Sequence, residues 1–137
     1  IIGFVFILTQ IVVSKLKNVK SITWLILGSI FATIGYFLIG IISTQVELTL
    51  AFCIGIIGLG MIMPAFMAIT SNSVEATEQG VAAGTVSSAQ GFGIIVGPLL
   101  STILYKISPE APFFFASLIF AILVIISLLY KKKGIVC

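Results

Sequence analysis

The sequence has no histidine, no aspartate and no arginine, and only 8% of its residues are charged. Each shortage excludes something. Without histidine there is no ordinary general base near neutral pH and no partner for a nucleophilic serine. No phosphate-binding glycine loop follows a strand-like segment, so no enzymatic reading finds support and the chain is expected not to be an enzyme. The two cysteines, Cys53 and Cys137, fall in an apolar stretch and at the last position. A disulfide between them is not expected, and no metal-ligand spacing exists. Cys137 is read as too close to the end for a prenylation box, which needs three residues after the cysteine, so none is expected. Soluble domains carry about 25% charged residues. A chain with 8% charged and 60% hydrophobic residues cannot cover a water-facing surface, and its surplus apolar surface needs lipid as solvent.

The few charges divide the chain. Residues 1–14 are uncharged and precede Lys15, Lys17 and Lys20; the next charges are Glu47, then Glu75 and Glu78, then Lys106 and Glu110, then Lys131, Lys132 and Lys133. A spanning helix needs roughly 20 mostly apolar residues. The intervals predict five spans, at about 1–14, 21–42, 48–70, 80–105 and 112–130, forming one partial transmembrane domain over 1–137. The first is short and begins inside an apolar run at Ile1, with no basic segment before it. It is read as the end of a longer helix rather than a signal peptide. A membrane β-barrel would show short alternating segments, and Phe113 to Leu129 does not alternate.

Short connections make successive helices antiparallel. That places 15–20, 71–79 and 131–137 on one side, with six of the seven lysines. Positive charge flanking spans marks the cytoplasmic side, so a multi-pass plasma-membrane protein with a cytoplasmic C-terminus is expected. The net charge of +3 then reflects topology, and no nucleic-acid partner is implied. Thr77 is expected to cap the fourth span with Glu78 in its first turn, and Pro112 suits the first turn of the fifth.

Several residues within the spans invite a functional reading beside an ordinary one. Pro64 removes a backbone hydrogen bond in mid-span and Pro98 does so in the next span. Either marks a gating or cavity-lining helix or a plain structural kink. Gly84, Gly93 and Gly97 lie in rows of small residues at four-residue spacing, which let helices approach closely. The rows are helix packing or an interface that rocks. Serine and threonine can return their hydrogen bonds to the helix backbone. Gln10 and Gln90 cannot do so easily, so they face either a cavity or another helix. No ionisable residue lies deep in a complete span.

The runs M-P-A-F-M-A-I-T-S-N-S-V-E-A-T-E-Q-G (Met63 to Gly80) and G-I-I-V-G-P-L-L (Gly93 to Leu100) resemble the major facilitator superfamily. In particular they resemble helices ten and eleven of drug:proton antiporters of the tetracycline and quinolone efflux type. The resemblance covers the chain from the end of helix eight through helix twelve. It departs in V-S-K-L-K-N-V-K (Val13 to Lys20), where the family often carries glycine, aspartate and arginine and only positive charge remains. The fold implied is all-α: part of the C-terminal six-helix half of a twelve-helix bundle whose halves rock around a midplane site. The function implied is proton-coupled efflux of drugs or other amphipathic small molecules, with no cofactor. The coupling ion would be the proton, and its carboxylate would lie outside these residues. Gln10, Phe66, Met67, Ser87 and Gln90 become candidate cavity residues, Pro64 and Pro98 kink or gating residues, and Gly84, Gly93 and Gly97 contacts for an absent N-terminal half. The partners implied are the bilayer, a small-molecule substrate and that N-terminal half. A metabolite permease for a sugar or organic anion is the alternative within the superfamily; a non-transporting membrane module is the alternative outside it.

Overall fold

The computed structural model describes residues 2–16 and 19–132. Lys17, Lys133 and Cys137, which entered the topology and lipidation arguments, lie outside the described residues. Five helices occur among those described: α1 (Ile2–Lys15), α2 (Ser21–Ile39), α3 (Gln45–Asn72), α4 (Gln79–Tyr105) and α5 (Ala111–Lys132). All but α1 are long and apolar enough to cross a membrane. Helices arise because backbone N–H and C=O groups find no water in hydrocarbon and must pair within the segment.

Helix ends differ from the expectation by up to three residues, and one expected cap is not made. The second span stops at Ile39, and Gly40 takes the C-cap, donating its N–H to the Tyr36 and Phe37 carbonyls. The third begins at Gln45, so Glu47 sits in its first turn instead of ending a loop. A carboxylate there faces the positive end of the helix dipole, which is why a charge did not interrupt the helix. Thr77 does not cap α4: Glu78 occupies the N-cap position in a helical conformation, with no side-chain cap hydrogen bond.

The centre of the bundle is the antiparallel pair α2–α3, whose backbones are nearly in contact. A methyl group on Gly28 would lie 2.8 Å from the Gly58 carbonyl oxygen, and one on Gly35 would lie 2.5 Å from Gly55 Cα. A methyl on Gly58 would meet the Gly28 carbonyl oxygen at 2.5 Å. These neighbours are backbone and cannot rotate away. Ala32, wholly buried, completes the seam on α2. Lipid tails are as apolar as side chains, so helices associate here through dispersion over closely fitted small residues.

α5 lies along the other side of α2. Ser117 Oγ donates to the Thr33 carbonyl at 3.0 Å. The Tyr36 and Phe120 rings stack at 5.5 Å, while Phe37 and Phe114 meet edge-on at 5.7 Å. Gly40 fits beneath the Phe114 ring, where a methyl would come within 2.8 Å of a ring carbon. α1 packs on α3 at Gly60, where a methyl would lie 3.0 Å from Thr9 Cβ. α4 is different: Val86 is its one buried residue. Ile22, at the start of α2, and Tyr130, near the end of α5, line one small cavity with Ser73 at the end of α3, as alternating helices require. Lys15, Lys20, Lys131 and Lys132 therefore share that end of the bundle, and Lys106 lies at the other.

Candidate functional site

A cavity of about 600 Å³ is an open groove walled by α1, α3 and α4. α1 contributes Ile7, Gln10, Ile11 and Ser14; α3 contributes Met63, Pro64 and Met67; α4 contributes Gln90. Positions 7, 10, 11 and 14 recur at the three- and four-residue spacing that puts side chains on one helical face, and 63 and 67 do the same on α3. Pro64 lies inside α3, which runs unbroken from Gln45 to Asn72. Having no N–H, Pro64 leaves the Gly60 carbonyl without its helical donor.

The polar groups of the groove are two amides and one hydroxyl. Gln90 Nε2 donates to Met63 Sδ at 3.6 Å, joining α4 to α3. Gln10 is half-buried on the opposite wall. Ser14 Oγ donates to the Ile11 carbonyl at 2.9 Å, so its proton is used within α1. None of the eight lining residues is ionisable. Such a groove can hold an apolar body and hydrogen-bond a few neutral groups; it has no group for proton transfer or for a hard metal ion. The thioethers of Met63 and Met67 are flexible and polarisable, which suits ligands of varied shape.

The structure brings together Gln10, Pro64, Met67 and Gln90 of the expected site. It does not bring Phe66 or Ser87 to the groove. Phe66 lines a separate cavity of about 280 Å³ between α2, α3 and α5, because one residue along a helix turns the side chain by about 100° from Met67. Ser87 is exposed on α4. Gly84, Gly93 and Gly97 have nothing within 4 Å of where a side chain would begin. Gly97 lies on the rim of a third cavity, about 310 Å³, with Tyr36 and Phe113. Pro98 lies inside α4 and its carbonyl accepts from Thr102 Oγ1 at 2.8 Å. Thr70, Thr85 and Ser88 likewise bond back to carbonyls four residues earlier.

Sequence reasoning missed Ile7, Ile11, Ser14 and Met63. Extending the face of Gln10 by one turn each way, and that of Met67 by one turn back, reaches all four. Gln90 was open to two readings, cavity or interhelical bond, and the geometry contains both.

The sequence profile of the Major Facilitator Superfamily matches residues 1–134. Multidrug resistance protein 1 of Bacillus subtilis (strain 168) is 28% identical over 137 residues, covering 93% of this chain and 34% of that protein. The proton-coupled antiporter flippase LtaA of Staphylococcus saprophyticus is 28% identical over 114 residues, covering 80% of this chain and 28% of that protein. LtaA of Staphylococcus haemolyticus is 28% identical over 122 residues, covering 85% of this chain and 30% of that protein. The chain thus spans about a third of the length of the curated relatives it matches. No solved structure matches it.

Proposed function

Since the chain belongs to the major facilitator superfamily, a family of membrane transporters and not of enzymes, we propose that it forms the C-terminal part of a proton-coupled exporter of drugs or other amphipathic molecules. The observation that carries this reading is the groove itself: its walls are apolar and thioether-rich, with two amides and no charge. A polar metabolite would need more hydrogen-bonding partners than these, since buried polar groups without partners are unfavourable. The names of the relatives, a multidrug resistance protein and a proton-coupled antiporter flippase, support amphipathic cargo and proton coupling.

In this reading Gln10, Met67 and Gln90 contact cargo, and Pro64 relaxes α3 beside it. Gly84, Gly93 and Gly97 meet an N-terminal half, which closes the groove from the side that is open here. The coupling carboxylate resides outside this chain. Glu47, Glu75, Glu78 and Glu110 lie in a first helical turn or in connections, away from the groove. The protein sits in the plasma membrane with the lysine-bearing helix ends, and so the C-terminus, in the cytoplasm.

The test is dye efflux from cells expressing the complete protein, with and without a protonophore. Efflux that stops when the protonophore is added is the expected result. Efflux that persists unchanged removes proton coupling, and failure to export any amphipathic dye removes the cargo class.

A further inference from the structure

The contact between Gln90 and Met63 is a weak bond, with a thioether as the acceptor. A thioether is a poor acceptor compared with a carbonyl, ether or hydroxyl oxygen. Gln90 Nε2 donates to that sulfur at 3.6 Å, so the amide nitrogen faces the α3 wall of the groove, beside Pro64, where both Met63 and Gln90 line the cavity. No lysine or glutamate lies among the lining residues to compete for that donor or to neutralise an ion.

We propose that Gln90 is a specificity-determining residue that recognises an uncharged hydrogen-bond acceptor on the cargo, by exchanging the Met63 sulfur for the cargo's oxygen. The cargo class is a neutral amphipathic molecule with an exposed carbonyl, ether or hydroxyl oxygen on an apolar body. The exchange is favourable because the amide already faces the groove and an oxygen is a better acceptor than the sulfur it replaces. Met63 serves as a placeholder: it is the acceptor the amide holds when no cargo is bound. Being unbranched, it swings aside when cargo arrives. This proposal rests on the groove being the cargo site.

The experiment measures equilibrium binding of two uncharged dyes to the complete protein in phosphatidylcholine nanodiscs, with empty nanodiscs subtracted. Nile red carries a ring carbonyl; diphenylhexatriene is a hydrocarbon with no acceptor. Gln90→Leu should weaken Nile red binding relative to diphenylhexatriene by roughly three- to tenfold, the range of one neutral hydrogen bond. Met63→Leu removes the competing acceptor and keeps the apolar volume. It should tighten Nile red binding relative to diphenylhexatriene by roughly threefold. If Gln90→Leu shifts both dyes equally, or Met63→Leu weakens Nile red, the exchange is wrong while the groove remains a cargo site. If the wild-type protein binds neither dye, the groove reading fails and the exchange fails with it.

Discussion

The α2–α3 pair and α4 are both rich in glycine, yet they use it in opposite ways. In α2–α3, Gly28, Gly35 and Gly58 are filled from outside by another helix's backbone. In α4, Gly84, Gly93 and Gly97 face open space, and Val86 is the one buried residue. Glycine spacing alone therefore does not report an interface; it reports that one is permitted. The first pair has spent that permission inside this chain. The second holds it for another surface, which our functional reading assigns to the N-terminal half.

Substitutions can break or sharpen this contrast. The largest effect is expected from Gly35→Leu, which drives a side chain into the Gly55 backbone. Overpacking of this kind should destabilise the bundle by about 3 kcal/mol or more, seen as a lower melting temperature in detergent. Gly84→Leu, measured the same way on these helices without an N-terminal half, should leave the melt nearly unchanged, because nothing here lies within 4 Å of it. Equal losses at the two sites would erase the distinction. Gly97→Leu should come next: loss of a close helix approach, read as reduced dye efflux by the complete protein at unchanged expression. Full efflux by that variant would remove the interface reading. Phe120→Leu, which removes the stack on Tyr36, should lower stability by about 1 kcal/mol beyond the lost contact area, showing how far α5 shares the tight core. The smallest shift is expected from Ser117→Ala. Its hydrogen bond to the Thr33 carbonyl should be worth about 0.6 kcal/mol, measurable as a slight fall in melting temperature.

Much of the architecture could be read in advance because charge is excluded from hydrocarbon, and so gaps between charges measure helices. That rule slipped where a charge is welcome, as at Glu47 in the first turn of α3. The site was half legible. Gln10, Pro64, Met67 and Gln90 stand out by chemical type, and they do share a groove. Phe66 stands out equally and lies elsewhere, because residue type says nothing of rotation about the helix axis. Met63 shows the reverse failure: its role comes from the amide opposite it, and pairings between helices are not written in either helix alone. Gly28 and Gly35, seven residues apart, were hidden for the same reason. Their partners, Gly58 and Gly55, lie on the next helix.

The seam between α2 and α3 also bears on the order in which the chain is built. These helices are consecutive and antiparallel, joined by residues 40–44, so they can pair as soon as both leave the ribosome. α5 then has to reach α2 after α4 has already been made. A helix that gripped its neighbours early would stand in the way. The loose seating of α4 leaves the flank of α2 vacant until Phe114, Ser117 and Phe120 arrive to take it.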